Sequence, residues 1–464
     1  MKIPFHFEEM QMKKSMAAPL LVALLAVPAG ALAQSDAERI NDLEKRVESL
    51  VKKDKERTAA EEKAKAAKGT TLRASSDKGK LEWTSADGAT SFRLVGRIQY
   101  DGIAFFGADN RLANGSAIRR ARIGYKARIA KDFVSEFDVD FAENGTDIKD
   151  AFVGYEGFKN SLIQIGNFKA PFGMDTLTSS KDIWFVERAY PDAWTPDRRL
   201  GAGYHYGGEN FSAAADFFGQ AISIEATGVR QGYGWAARGT WAPVMKSETR
   251  AIHIGAATNM RKTDAAVNGS GTLPPPAWAI DFSSRPEATK ASKAKFLNTP
   301  TMQNVAWIRQ YGAELSGVWD AFAWQAEYQT TSVVRRDGFP TLSDHGFDSW
   351  YAQVSWVISG GKRKYEAADG LVGRVTPSGK AGAFELLARY SEMDLNDITA
   401  VDPIKGGSAK NFTVGLNWYP NSNFRVMLDW TNVNNDEYAK PKAVYGGIAN
   451  DDFDEVQFRF QFNF

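Results

Sequence analysis

Five basic residues crowd one short stretch of this chain, Ile118-Arg119-Arg120-Ala121-Arg122-Ile123-Gly124-Tyr125-Lys126-Ala127-Arg128-Ile129. On an extended strand Ala121, Ile123, Tyr125, Ala127 and Ile129 fall on one side, so Arg120, Arg122, Lys126 and Arg128 share the other. A column of such groups suits phosphate or carboxylate oxygens, because a planar guanidinium offers several donors in a fixed fork. A cation facing lipid costs about 2–4 kcal/mol at the bilayer midplane. If the apolar side of this strand meets hydrocarbon, the basic column therefore meets water.

Further bases stand on polar faces elsewhere: Arg97, Arg238, Arg389, Arg425 and Arg459. In a closed sheet the last strand meets the first, so Arg425, Arg459, Arg97 and the basic column are expected to line one contiguous wall. A narrow bore with low-dielectric walls focuses such a field on a passing anion. Acids oppose it. Glu136, Asp138 and Asp140 are expected on the neighbouring strand, where opposite charges pair across a ladder, and Asp101, Glu385, Asp429 and Glu455 add more. Bases and acids nearly balance, so anion selectivity and simple charge segregation between walls both stand open.

The elements that position these groups are strands. From about Leu94 the pattern is alternating to the end of the chain, and it closes with Val456, Phe458, Phe460, Phe462 and Phe464 on one face. Glu455, Gln457, Arg459, Gln461 and Asn463 occupy the opposite face. Sixteen strands can be counted, an even number as single-chain bacterial barrels require. Short connectors at 131–132, 159–161, 209–210, 320–321 and 421–422 alternate with longer ones, among them 173–199 and 261–304. That asymmetry is expected of periplasmic turns and extracellular loops. The connector 359–382 is the exception, a long segment on the short-turn side. Trp319, Trp324, Trp350, Tyr351, Trp418, Tyr419 and Trp430 near strand ends match interfacial girdles. The fold expected is all-β, a sixteen-stranded antiparallel transmembrane β-barrel over residues 94–464, wide enough for an aqueous channel. The connector 173–199 is the natural constriction loop, with Lys181 and Arg188 among its bases, and 261–304 is a basic vestibule candidate or a solvated loop.

The front of the chain reads differently. Lys13 and Lys14 precede an apolar run that ends at Ala31-Leu32-Ala33, the order of a secretory signal peptide over residues 1–33, with Met12 a candidate start. Ile40, Leu43, Val47 and Leu50 then recur at spacings of three and four, the seam of a short periplasmic coiled-coil helix within residues 34–69. Two heptads are marginal alone, so a trimeric barrel holding the helices together and a solvated spacer helix are both open readings. Residues 70–93 are expected to be a linker.

Composition excludes other classes. The chain has 464 residues, no cysteine and a formal net charge of +1, so no disulfide framework exists and no nucleic-acid partner is expected. Of the four histidines, His205, His253 and His345 lack a catalytic motif, and no phosphate-cradling loop, metal-ligand spacing or nucleophile elbow is present. Neither enzyme activity nor a cofactor or metal is expected. Outer-membrane lipid and lipopolysaccharide are the expected surroundings.

The motifs then become familiar. Arg97-Ile-Gln-Tyr-Asp101, Ile118 to Tyr125, Ile148-Lys-Asp-Ala-Phe-Val-Gly-Tyr155, Gly166-Asn-Phe-Lys-Ala-Pro-Phe172 and Thr178-Ser-Ser-Lys-Asp-Ile183 with Glu187-Arg188 resemble the phosphate-selective porin O and P family. The resemblance runs from about residue 90 to the C-terminus and implies a homotrimer of sixteen-stranded barrels in the outer membrane, each with its own channel for inorganic anions such as phosphate. It carries the family's arginines onto Arg97, Arg119 and Arg120, its acid onto Asp150 and its constriction lysine onto Lys181. Alternation, however, turns Arg120 inward and Arg119 outward or to the rim. Acids and bases in 173–199 nearly cancel, whereas a tight phosphate channel should be richer in lysine there. A general, weakly selective porin and an envelope anchor are the alternatives. Fold transfers with such a resemblance more safely than substrate does.

Overall fold

A computed structural model describes residues 36–66, 71–75, 80–85, 87–142, 145–222, 229–263, 265–266 and 278–464. The expected signal segment, 1–33, lies outside the described residues. The chain divides into two compact units, 1–68 and 69–464. Among the described residues the first is helix α1 (Asp36–Ala66), on which Leu43, Val47, Leu50 and Val51 stand exposed. Its charged turns carry ion pairs between Asp42 and Arg46 and between Asp54 and Arg57, both at 3.1 Å.

The second unit is a closed antiparallel barrel of sixteen strands. They are β1 (Ser91–Phe106), β2 (Gly115–Ile129), β3 (Phe133–Asp140), β4 (Asp147–Tyr155), β5 (Ser161–Lys169), β6 (Arg198–Gly207), β7 (Phe211–Phe218) and β8 (Gly234–Ser247). They continue as β9 (Arg250–Arg261), β10 (Val305–Trp319), β11 (Phe322–Arg335), β12 (His345–Ser359), β13 (Ala383–Asp397), β14 (Ile404–Tyr419), β15 (Phe424–Asn435) and β16 (Phe453–Asn463). Each strand pairs with the next in sequence, and β16 closes on β1 from Asp454↔Phe106 to Asn463↔Arg97. Reciprocal bonds of 3.1 Å between Gly96 and Phe464 finish the seam. Where β16 ends, β1 still offers an edge. A hairpin of two short strands, Thr71–Ser75 and Lys80–Thr84, takes it, pairing Leu81 with Leu94 and Thr84 with Ser91. The segment 70–93, expected as a linker, thus contains sheet.

The side chains are sorted inside out relative to a soluble sheet. On β16, Glu455, Gln457, Arg459 and Gln461 are at most 2% exposed, while Phe458 and Phe460 are 42% and 46% exposed. The same sorting recurs around the ring, with Ile123, Ile165, Trp241, Leu315, Trp356 and Leu428 outward and Gln99, His253, Gln325, Asn411 and Thr431 inward. Water cannot accompany the outer surface into hydrocarbon, so only a closed ladder that satisfies its own backbone can carry these residues there. The long connector 360–382 is an elaborated turn. It folds as a hairpin, Gly361–Lys362 against Thr376–Pro377 and Tyr365–Glu366 against Leu371–Val372. Tyr365 and Val372 pack against Ala242, Ala251, Val318, Ala323 and Leu387 of the inner wall.

Glycines allow neighbouring strands to approach closely at a few points. At Gly166, with φ 141°, an added Cβ would lie 2.2 Å from the Ala151 carbonyl oxygen and 2.6 Å from Phe152 Cα. Both are backbone atoms that cannot swing aside. Gly166→Ala is expected to destabilise the barrel by about 1–3 kcal/mol, read as a lower temperature for conversion of the folded to the unfolded band on a semi-native gel. An unchanged conversion temperature would contradict that geometry.

Candidate functional site: the constricted lumen

The loop 170–197 turns into the barrel because its apolar residues have nowhere else to go. Phe172, Met174, Ile183, Trp184, Phe185, Val186, Tyr190 and Trp194 are all at most 2% exposed. Gly173, at φ 84°, makes the bend before the short helix Met174–Leu177. The wall then binds the loop backbone. Arg425 donates to the carbonyls of Ile183 at 2.6 Å and Trp184 at 2.8 Å, and Asn417 donates to Trp184 at 2.9 Å. Asp429 accepts from the Val186 N–H at 2.6 Å, and Glu327 accepts from Met174 and Asp175. Trp194 Nε1 donates to Gln329 at 2.7 Å and Tyr190 to Asn411 at 3.1 Å. The loop is thus laid against strands β11 to β16.

A charge network completes the attachment. Glu187 receives Arg119 at 2.6 and 3.1 Å and Arg459 at 3.2 Å, while Arg459 also grips Asp101 at 2.6 Å. Burial pushes the Glu187 carboxyl up, but Arg119, Arg459 and Arg120 outweigh it and hold it well below the usual carboxylate range. The other long loop joins in, as Arg389 pairs with Glu287 at 2.7 Å and Thr289 donates to Asp101 at 2.6 Å. From the opposite end the hairpin 360–382 is held by Arg363 on Glu385 at 2.6 Å.

What remains open is a cavity of about 1330 Å³ against the inner faces of β1 to β8. Arg97, Arg120, Arg122, Lys126, Asp150, Lys181 and Arg188 all line it. The remaining bases expected there do not. Arg128 lies at the turn, donating to the Lys131 carbonyl at 2.7 Å and pairing with Glu156. Arg425 and Arg459 are buried beneath the loop, because its aromatic residues cover that wall. The expected contiguous basic wall is therefore replaced by a basic face on β1 and β2 and an anchoring face on β15 and β16.

Arg119 turns inward, and a β-bulge is the reason. Arg120 pairs with Gln99, yet Ile118 pairs with Tyr100, leaving Arg119 as the extra residue. Two residues opposite one break the alternation locally, so consecutive arginines both reach the lumen. Simple period-two counting has no signal for this.

Most lumen bases are matched to acids. Arg122 binds Asp140 at 2.8 Å and Asp138 at 3.5 Å, Lys126 binds Glu136 at 2.6 Å, and Arg198 grips Asp150 through two bonds of 3.0 and 2.7 Å. Arg188 is spent on the loop carbonyls of Asp175 and Thr178. Arg97, Arg120 and Lys181 differ. Arg97 donates to Ser180 Oγ at 2.6 Å, Arg120 donates to Gln99 at 2.7 Å, and Gln99 in turn donates to the Ser180 carbonyl at 3.0 Å. None of these three has a carboxylate at salt-bridge distance among the described residues, and the Arg120 Nε has no acceptor there. Ser179, Ser180 and Gln99 were absent from the expected set, since neutral residues carry no charge pattern to notice. Among the described residues no cluster of acids and histidines is arranged for a metal ion.

A closed barrel with an apolar exterior, inward loops and a charged bore is an outer-membrane channel. Residues 92–464 match the model of the phosphate-selective porin O and P family, and the chain belongs to that family. Porin O of Pseudomonas aeruginosa is 26% identical over 413 residues, covering 83% of this chain and 91% of its own. A protein of Caulobacter vibrioides, itself uncharacterised, is 29% identical over 381 residues, 76% of this chain and 70% of that one. In fold alone, the in-vitro folded outer-membrane protein OmpT of Vibrio cholerae aligns with a TM-score of 0.50 at 10% identity, over 81% of this chain and 98% of that one.

The anchoring role of Arg425 is open to measurement. Arg425→Met removes both bonds to the Ile183 and Trp184 carbonyls and should loosen the loop by about 2–4 kcal/mol, raising single-channel conductance and its open-state noise. Because Glu187 is ionised far more readily in place than free, its contribution is present above the free-glutamate value near ~4 and fades as pH falls below it. The Glu187 attachment should therefore be as firm at pH 5 as at pH 7, so the conductance difference between Glu187→Gln and the wild type should be the same at both.

Proposed function

We propose that this porin is a passive, anion-preferring diffusion channel whose cargo is phosphate or polyphosphate. One observation carries the reading: Arg97, Arg120 and Lys181 line the bore with no carboxylate among the described residues at salt-bridge distance, and Ser180 and Gln99 join the two arginines. Elsewhere in the bore most positive charge is matched by a neighbouring acid, as in Arg122, Lys126 and Arg198, or spent on loop carbonyls, as in Lys169 and Arg188. Hydrated oxyanions entering this stretch exchange water for guanidinium, ammonium and hydroxyl donors, the donor set that suits tetrahedral oxygens. The name of the family and that of Porin O are consistent with it. Membership of a porin family and the closed barrel support a channel rather than an enzyme.

The near balance of bases and acids around the cavity favours a second reading, a general porin of weak selectivity, which the same experiments separate. In the mature protein we propose that residues 1–33 are removed as a signal peptide, that the protein is a homotrimer, and that the helix within 34–69 lies in the periplasm as a short coiled coil.

In a salt gradient the reversal potential should be that of an anion-selective pore; a cation-selective one would defeat the reading. Phosphate should block chloride current, and Arg120→Ala or Lys181→Gln should weaken that block about tenfold while the folded oligomer remains intact. Block that is absent in the wild type leaves the weakly selective porin as the correct account.

A further inference from the structure

On the outer surface, at the end of the barrel that bears the long loops, three cations gather on neighbouring strands. Lys262 follows β9 and lies over the rings of Trp307, 4.6 Å from its centroid, and Tyr233, at 5.1 Å. Arg336 follows β11 and stacks on Trp278 at 3.8 Å. Arg309 points outward from β10, exposed, two residues along from Trp307 and so about 7 Å deeper. A recess of about 620 Å³ lies among Tyr233, Lys262, Trp278, Trp307 and Arg336, and Asp337 lines it as well. Neither Asp337 nor any other carboxylate among the described residues forms an ion pair with these three. Elsewhere on the outer face of the sheet Lys410 is matched by Glu392 at 3.7 Å.

This arrangement calls for an anion from outside the chain. The aromatic rings set the height of the patch at the boundary between hydrocarbon and headgroups, where amphipathic rings settle. Cations at that depth lose hydration with no carboxylate among the described residues to pair with, a cost that a lipid phosphate offsets by about 1 kcal/mol for each Lys or Arg near it. The two upper cations are held by their rings, so little side-chain freedom is lost on binding. Arg309, lower down, is placed for a second oxygen or the upper part of the same headgroup.

We propose that Lys262, Arg309 and Arg336 form a binding site for a phosphorylated acyl lipid of the outer leaflet, its phosphate between the cations and its chains along the apolar face below Tyr311 and Leu315. The site is separate from the bore and does not depend on what the bore conducts.

The test uses the full-length oligomer, purified in a phosphate-free maltoside detergent with or without a diphosphoryl acylated glycolipid. Native mass spectrometry counts the lipid retained. The wild type should keep the diphosphoryl form, and the triple variant Lys262→Gln, Arg309→Gln, Arg336→Gln should bind it about 100-fold more weakly, while Asp337→Asn binds it no worse than the wild type. Conductance of the triple variant should be unchanged, which also reports that it has folded. Equal retention by wild type and triple variant overturns the proposal, as does equal retention of the dephosphorylated lipid by the wild type. Displacement by millimolar inorganic phosphate would make this a free-phosphate site, and a change of oligomeric mass in the triple variant would make it a subunit contact; either result also overturns the lipid assignment.

Discussion

The network joining Asp101, Arg459, Glu187 and Arg119 is the constraint on which the bore depends. Arg459 and Asp101 are fully buried, and burying either alone would cost several kcal/mol, so the pair is tolerable only as a unit. Glu187 brings the loop into that unit. Breaking such a buried pair costs about 3–5 kcal/mol, which makes the loop position all-or-none in character. A wall of apolar residues could also hold a loop, but it would tolerate many registers. Charges satisfied by particular atoms admit few.

The same logic explains why the barrel has two unlike halves. Strands β11 to β16 present polar atoms that the loop backbone and side chains consume: Glu327, Asn411, Asn417, Arg425 and Asp429 all bond to it. Strands β1 to β8 turn most of theirs toward open space, with Arg97, Gln99 and Arg119 also reaching the loop. The bore is therefore displaced toward the side where the acids of β3 and the bases of β2 pair. Its electrostatics are set less by how many cations it has than by which ones lack partners.

How much of this was legible follows from the period of each signal. The strands and their order came through because alternation is long-range and redundant: β16 alone offers five apolar and five polar positions in register. That the acids Glu136, Asp138 and Asp140 stand beside the basic column was also visible, since adjacent strands with a short turn share a ladder; which acid meets which base came from the register. Arg119 was not, because a single bulge inverts the facing of a residue without altering composition. The hidden role of Arg425 and Arg459 was illegible for a different reason. A polar lumen-facing residue looks the same whether it meets water or the backbone of a loop more than two hundred residues away in sequence.

Lys181 marks where these arguments meet. Its own carbonyl accepts a bond from Gln461 at 3.0 Å, so its backbone is pinned to the anchoring wall while its side chain lines the same cavity as Arg97 and Arg120. The loop's attachment and the bore's charge are consequently one design. Loosening the anchors would lower the local field even if every base remained, because a cation on a wandering loop is diluted over many positions and screened within a Debye length of about 8 Å at physiological salt. The field in this bore thus depends on buried pairs that no solute touches.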